Sequence, residues 1–412
     1  MEPITLFDKS FLQSLSIDES VWFDHFFHAM ISPLFYVETL ADLDKVARLG
    51  KTSEDEVKII ASKFPESHGD PAAFHLDLCI SSLRRYNVPV KRGIPTFSGR
   101  PVIDDGTVGM VMEISPEAEA FNRWVNKEFS QVEHQHAKSW RSQLANVDLA
   151  ETAKQLQLLG INSKSCKTFS DAKIIAENIV HGRDKVFERM KLACLMLRVP
   201  PELYSDILRG WSEIGSPAIS SYAPYAAYVF TVEVFFQIAL AANLISTERP
   251  SNLIDIAYLS YLPFCDIFVS DDHLHTKCAP LFMRNDQQFI RGLDLKRGLK
   301  AIDEHFNKLS DEEKEKGILS FAKSPPKEGE FFISKIWDKH CPGWRTRKEF
   351  NNPEDILTSE QVKKMIAIHD APPASKGQID FDSQNFDRLS IVRKVHKKKG
   401  KWFQVPKNLK NK

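Results

Sequence analysis

The sequence lacks the motifs of several large enzyme classes. It contains no phosphate-binding P-loop, no GxGxxG dinucleotide fingerprint, no HExxH zinc motif and no GxSxG nucleophile elbow. Each of those motifs supplies its chemistry through backbone amides, a metal ion or an activated serine. P-loop nucleotide hydrolysis, dinucleotide redox chemistry and serine hydrolysis therefore have no support.

Neither paired cysteines nor a signal peptide is expected from the sequence. The six cysteines are scattered, and no two have the CxxC spacing of a structural zinc site. The first residues, MEPITLFDKSFL, are acidic where a signal peptide is basic, and they contain no long apolar run. We therefore expect reduced thiols and a cytoplasmic location.

An excess of charge of one sign is also absent, because 55 basic residues balance 55 acidic residues. Global charge consequently points to no partner. One apolar stretch, 225–245, is about long enough to span a bilayer, but it contains Glu233, Gln237 and Asn243. We interpret it as a buried helix and expect no membrane association. Glu233 either pairs with a basic group, which is favoured, or approaches the other acidic residues considered below.

Short apolar runs separated by helical patterns predict an α/β fold. The predicted strands are residues 4–7, 31–32, 266–270 and 288–293, and residues 50–215 have a mainly helical pattern. Proline pairs and a rise in charge suggest further boundaries. The predicted division is 1–50 and 221–310 for two parts of one α/β domain, 51–220 for a helical insertion, 311–370 for a C-terminal extension and 371–412 for a linker and basic tail.

Acidic residues occur where predicted strands end. Asp8 follows ITLF, and Asp272 follows IFVSD, while Glu38 and Asp255 lie early in helices next to strands. Ligands of open α/β sheets bind beyond the carboxyl ends of the strands, so these four acids are expected to converge. Carboxylate oxygens are preferred ligands of Mg²⁺ and Mn²⁺.

The sequence around these positions resembles the PIN-like nuclease superfamily. LFDKSFLQSL is similar to its first motif, ISPLFYVETLADL to its second, and IDIAYLSYLPFCDIFVSDDHL to its third and fourth together. The resemblance implies a three-layer domain with a mostly parallel sheet. It also implies a catalytic and metal-binding set composed of Asp8, Glu38, Asp255 and Asp272, with Mg²⁺ or Mn²⁺ as cofactor.

Accessory roles are weighed against simpler ones. Asp42, one turn after Glu38, is either a helper ligand or a solvated charge, and the solvated charge is favoured. Ser270 either orients a metal-bound water or packs, and Asp271 either joins the site or points away from it. Asp8 has the simpler alternative of a helix cap, and Asp255 that of an acid at a helix N-terminus.

Two further groups of residues are candidates for contact with substrate. His273 and His275 follow Asp272, and we interpret them as exposed turn residues. The segment 388–412 holds ten basic and no acidic residues, with Trp402 inside the basic run. It is a candidate for nucleic-acid binding, against the alternative of a solvated, disordered tail; the residues proposed for this contact are Lys397, Lys398, Lys399, Lys401 and Trp402.

These observations predict a metal-dependent endoribonuclease that hydrolyses phosphodiester bonds. RNA is preferred over DNA on the family resemblance alone. Two alternatives remain open: a non-catalytic nucleic-acid-binding or regulatory protein with a PIN-like fold, and a toxin or defence effector restrained by a protein partner or inhibitor.

Overall fold

The computed structural model describes residues 2–45, 50–96, 100–104, 107–111, 116–158, 164, 166–182, 184–346 and 395–408. Within those residues, the strands form one large sheet and two small two-stranded sheets. The strands are β1 (Ile4–Phe7), β2 (His28–Ile31), β3 (Gly69–Pro71), β4 (Arg100–Asp104), β5 (Thr107–Val111), β6 (Ile267–Val269), β7 (Gln288–Ile290), β8 (Lys398–Lys399) and β9 (Trp402–Phe403).

The large sheet has five strands in the order β3-β2-β1-β6-β7, and every neighbouring pair is parallel. Parallel neighbours need crossover connections, which here consist of helices. All five carboxyl ends therefore lie at one edge of the sheet. The residues that follow β1, β2 and β6 are brought together at that edge although they are far apart in the sequence.

Helices make up most of the remaining described chain. The α-helices of its first half are α1 (Lys9–Ser14), α2 (Ile17–Phe26), α3 (Pro33–Ala41), α4 (Ser53–Ala61), α5 (His75–Leu83), α6 (Pro116–Val125), α7 (Gln131–Ala145), α8 (Leu149–Leu158), α9 (Phe169–His181) and α10 (Val186–Met196). Those of its second half are α11 (Tyr204–Glu213), α12 (Ile219–Tyr222), α13 (Pro224–Ala241), α14 (Asn252–Ala257), α15 (His273–Phe282), α16 (Gly292–Phe306), α17 (Asp311–Lys314), α18 (Ile318–Phe321) and α19 (Phe332–His340). Short 3₁₀ helices span Asp42–Asp44, Pro201–Leu203 and Tyr258–Phe264.

The sheet separates two hydrophobic cores, because successive side chains of a strand point to opposite faces. On β1, Leu6 packs into one core and Phe7 into the other. On β6, Phe268 joins the core of Leu6, while Ile267 and Val269 join that of Phe7. Helices cover both faces, so the architecture is a three-layer α/β arrangement.

Helix α13 is the centre of the layer on the Leu6 side. It packs against α5, α8, α9, α10 and α12, and most of its side chains are buried. In the part of the chain that the structure describes, α13 is the one helix that is long and apolar enough to cross a membrane. However, 78% of the span Pro224–Ala241 is buried inside the protein. The burial agrees with the predicted buried helix.

The layer on the Phe7 side contains aromatic residues from distant parts of the sequence. Trp22 of α2 stacks on Phe306 of α16 at 4.9 Å and meets Trp402 edge-on at 4.7 Å. Trp337 of α19 donates a hydrogen bond to the carbonyl of Phe26 at 3.0 Å. Residues beyond 310 thus complete the core against one face of the sheet.

The strand predictions are confirmed for β1, β6 and β7, whereas β2 begins earlier than predicted. β3 is a correction, because it lies within the range 51–220 that was predicted as a helical insertion. Its sequence, Gly69-Asp70-Pro71, has no apolar alternation, so nothing marks it as a strand. It pairs with β2 from Ala29 to Ile31, and the sheet therefore continues beyond residue 50.

Candidate functional site

Asp8 lies directly after β1, at the carboxyl edge of the sheet. It caps α1, accepting a hydrogen bond from the amide of Phe11 at 2.8 Å. The hydroxyls of Ser10 and Ser270 donate to its carboxylate at 2.9 Å and 2.6 Å. Ser270 follows β6, so this bond joins the ends of two adjacent strands. The capping alternative for Asp8 is confirmed, and it coexists with a place in the acidic group.

Asp272 has a related position after β6. Its Oδ1 atom accepts from the amides of Leu274 at 2.7 Å and His275 at 3.2 Å, which caps α15. Asp271, in contrast, is exposed and accepts from the amide of Leu293 at 3.1 Å, at the start of α16. The neighbouring carboxylates therefore face different helices. Asp272 belongs to the edge, and Asp271 serves α16 instead of the accessory role considered for it.

Glu38 projects from α3 and meets a tyrosine instead of a lysine. The hydroxyl of Tyr258 donates to its Oε2 atom at 2.6 Å. Burial is the largest factor that raises the pKa of Glu38 above its usual value. Lys9 and Lys45 are both ion-paired with Asp42, at 3.0 Å and 2.6 Å. The interpretation of Asp42 as a solvated charge is wrong, since Asp42 is buried and neutralised by these two lysines.

Asp255, half-buried on α14, has the clearest electrostatic signature of the four acids. Burial is the largest cause that raises its pKa to about 7, and repulsion from Asp272, Glu38 and Asp8 adds to it. His275 opposes the shift. A mutual effect on one carboxyl requires the four acids to lie near one another. The structure thus brings together the four acids that the sequence singles out.

His275 is a residue of this edge whose role the sequence analysis missed. The prediction that it is an exposed turn residue is wrong, because only 1% of it is exposed; His273 is exposed, as predicted. Burial lowers the pKa of His275, but Asp8, Asp255 and Asp272 raise it more, to about 9. The sequence signal for this role is that His275 lies three residues after Asp272, an acid that caps a helix. Residues three apart lie on the same face of a helix, so His275 is expected to face the same site as Asp272.

The chemistry of the donor set fits a hard divalent cation. Among the described residues, no hydrogen bond reaches the carboxylate of Asp255 or the Oδ2 atom of Asp272. In the same residues, no three His, Cys, Asp or Glu side chains lie close enough to enclose an ion. Mg²⁺ is commonly held by one or two carboxylates together with water and substrate phosphate. Asp255 and Asp272 are therefore the carboxylates best placed to hold such an ion.

The described part of the basic segment, residues 395–408, contradicts the interpretation of a solvated tail and excludes Trp402 from the predicted nucleic-acid contact. Trp402 is fully buried, and its indole donates to Asp303 at 2.8 Å, so the prediction that Trp402 contacts nucleic acid is wrong. Lys399 is buried and donates to the carbonyl of Phe64 at 2.6 Å. Lys401 pairs with Asp303 at 2.6 Å. Residues 395–408 are therefore a packed segment instead of a solvated tail.

Contact of Lys397 and Lys398 with nucleic acid stays a prediction. Lys398 is exposed, and its ammonium lies over the ring of Phe403, 5.0 Å from the centroid. The predicted linker at 371–377 and the last residues of the chain, 409–412, lie outside the described residues.

Searches of known proteins returned no relative: no family model, no curated protein and no solved structure matches this chain.

Proposed function

We propose that this protein is a metal-dependent endoribonuclease of the PIN-like type. The observation that carries the proposal is the convergence of Asp8, Glu38, Asp255 and Asp272 at the carboxyl edge of a parallel sheet. The other three acids raise the pKa of Asp255 beyond the effect of burial. The sequence resemblance singles out the same four residues by their order and type.

The four acids would have different roles in such a site. Asp255 and Asp272 offer carboxylate oxygens that no described protein group uses, and they would hold Mg²⁺ or Mn²⁺. The ion, when bound, supplies a Lewis acid for the phosphate and lowers the pKa of a bound water. Asp8 has a fixed orientation through Ser10 and Ser270, and it adds negative charge that favours cation binding.

Glu38 completes the pocket from the helix after β2. Its bond from Tyr258 leaves the Oε1 atom without a described hydrogen-bond donor. Burial keeps the pKa of Glu38 high. A nearby cation would favour the ionised form of Glu38. RNA is proposed over DNA on the family resemblance alone, and a toxin or defence role remains a hypothesis of the same kind.

A second function, non-catalytic nucleic-acid binding, is favoured by one observation. The carboxylate of Asp8 accepts bonds from Ser10, Phe11 and Ser270, which leaves it little capacity for a metal. An inert pocket of this kind would retain its acids as helix caps. Metal binding separates the two functions, because only the enzyme needs a saturable cation site.

The test is cleavage of a mixed pool of labelled tRNA, structured RNA and single-stranded DNA in the presence of Mn²⁺. Asp272→Asn keeps a capping oxygen for α15 and removes the charge. We expect it to reduce cleavage by about 100-fold, which is roughly 2.7 kcal/mol of transition-state stabilisation.

Asp271→Asn is the matched control, since Asp271 lies next in sequence but faces α16. It should cleave within about twofold of wild type, a difference under roughly 0.5 kcal/mol. Equal loss in both variants would contradict the assignment of Asp272. Absence of cleavage by wild type, with nucleic-acid binding retained, would favour the non-catalytic function.

A further inference from the structure

His275 connects two parts of the acidic pocket that come from different elements. Its Nδ1 atom lies 2.8 Å from the hydroxyl of Ser270, at the end of β6. Its Nε2 atom lies 2.7 Å from the backbone carbonyl of Asp255, on α14. One ring therefore spans from the strand that supports Asp8 and Asp272 to the helix that carries Asp255.

The direction of each hydrogen bond follows from the chemistry of its partners. A backbone carbonyl only accepts, so Nε2 is the donor to Asp255. The hydroxyl of Ser270 accepts from the amide of Asp272 at 2.9 Å and donates to Asp8 at 2.6 Å. Ser270 and His275 thus form one continuous network that includes three of the four acids.

Packing holds the imidazole in a single place. The ring lies edge-on to Phe268 at 4.9 Å and to Tyr258 at 5.6 Å. It is also 99% shielded from solvent, since only 1% of the residue is exposed. A side chain so enclosed has no room to approach a substrate, whereas it is well placed to orient its neighbours.

We propose that His275 is a positioning residue that sets the place of Asp255 relative to Asp8 and Asp272. Helix α14 is only six residues long, and its N-cap residue, Ser251, makes no side-chain cap bond. Helices of that length are marginal without tertiary contacts. The bond from Nε2 is thus a direct tie between α14 and the edge of the sheet. The role of this tie in metal binding rests on the function proposed above.

Two amide variants separate the two hydrogen bonds of the ring. The amide nitrogen of glutamine corresponds to Nε2, so His275→Gln retains the tie to Asp255 and loses the bond to Ser270. The amide nitrogen of asparagine corresponds to Nδ1, so His275→Asn does the reverse. His275→Phe keeps the ring contacts and loses both bonds.

The first measurement is hydrogen exchange of the full-length chain over residues 252–257. We expect exchange about fivefold faster in His275→Asn and His275→Phe, since a lost hydrogen bond costs roughly 1 kcal/mol of local stability. His275→Gln should remain within about twofold of wild type, because it rescues the bond to Asp255. Equal exchange in all three variants would overturn the proposal.

The second measurement is Mn²⁺ affinity by calorimetry on the same samples. Loss of a residue that orients a ligand typically weakens metal binding by about 10-fold to 100-fold. We expect about a tenfold increase of Kd in His275→Asn and a smaller one in His275→Gln. The proposal would be overturned if the loss of Mn²⁺ affinity among the variants correlated with their global unfolding temperature and not with the rate of hydrogen exchange in α14.

The two measurements distinguish the positioning role from the proposed function. If wild type binds no Mn²⁺ but the exchange pattern is as expected, the nuclease function fails and the positioning of Asp255 by His275 stands. If wild type binds Mn²⁺ and no variant changes exchange or affinity, the pocket stands and His275 has no positioning role.

Discussion

Two acidic clusters of this protein differ in what compensates their charge. At the carboxyl edge of the sheet, Asp255 has a pKa of about 7, from burial and from repulsion by neighbouring acids. Beneath the C-terminal segment, Asp303 accepts from Lys401 at 2.6 Å, from Trp402 at 2.8 Å and from Trp22 at 3.0 Å.

The other acids beneath the C-terminal segment have partners as well. Asp18 accepts from the amide of Lys401 at 2.9 Å. Glu66 pairs with His396 at 2.9 Å and with Lys399 at 3.8 Å. Every acid of this cluster that the structure describes is therefore paired with groups of the segment 395–408.

The difference shows how a structural cluster is distinguished from a candidate ligand site. Acids that serve folding are neutralised by protein donors, since a buried unpaired charge costs several kcal/mol. At the edge of the sheet, the nearby lysines Lys9 and Lys45 are paired with Asp42 instead. His275 is the buried cation that opposes the repulsion at Asp255. The edge thus retains negative charge that a divalent ion would neutralise.

The largest expected effect concerns the structural cluster. Trp402→Ala should lower the free energy of unfolding by about 3–5 kcal/mol, because it empties a fully buried site and removes one of the three donors to Asp303. Denaturant melts measure the change. Phe403→Ala, on the half-buried neighbour, should cost clearly less; equal costs would contradict the packed arrangement of this segment.

The next effect is the gain in stability when Mn²⁺ binds to the acids at the edge of the sheet. At about 100 times its Kd, a ligand that binds only the folded state stabilises by about 2.7 kcal/mol. We expect thermal melts of wild type and of Asp271→Asn to show this gain. Asp255→Asn should show little of it.

The same variant sharpens the comparison when no divalent ion is present. Asp255→Asn removes one of the mutually repelling charges, so we expect it to be roughly 1–2 kcal/mol more stable than wild type in chelator. Lower stability of Asp255→Asn in chelator would show that repulsion does not dominate at this edge.

A third effect separates burial from like-charge repulsion. Burial raises the pKa of Glu233 on α13 to about 7, and the positive charge of Arg198 opposes this shift. Because the folded-state pKa is raised from 4.5, its contribution to stability is present below pH 4.5 and lost as pH rises to about 7. Glu233→Gln should abolish this loss, which is roughly 3 kcal/mol for a shift from 4.5 to about 7. Melts at pH 5 and pH 8 measure it, and an unchanged pH dependence in the variant would contradict it.

The smallest effect is that of an exposed ion pair. The side chain of Lys401 is 38% exposed, so Lys401→Ala should cost at most about 1 kcal/mol, even though its partner is a central acid of the cluster. The cost should shrink in high salt. A cost that matches that of Trp402→Ala would show that charge, instead of packing, holds the segment.

The sequence predicted the features that depend on local pattern. Apolar runs that stop at an acid located β1 and β6, and the parallel sheet then brought Asp8 and Asp272 to one edge. The same pattern placed Glu38 and Asp255 in helices beside that edge. Strand ends are informative because a parallel sheet has only one carboxyl edge.

Other features depend on partners that no local pattern contains. β3 is a strand because β2 pairs with it, not because of its own residues. Trp402 lies among lysines, which is typical of a solvated segment, yet Trp22 and Asp303 bury it. The sequence around His275 is typical of an exposed turn. The residue is buried because its ring bonds to the carbonyl of Asp255, which lies 20 residues earlier in the chain.

The most direct test of the central claim is Mn²⁺ binding by wild type, Asp255→Asn and Asp271→Asn, followed by electron paramagnetic resonance with Mg²⁺ as competitor. We expect saturable binding by wild type that Mg²⁺ competes, an affinity at least about tenfold weaker in Asp255→Asn, and no more than about a twofold change in Asp271→Asn. The same affinity in all three proteins, or no saturable binding by wild type, would contradict the proposal that Asp255, together with Asp272, holds a divalent ion at the edge of the sheet.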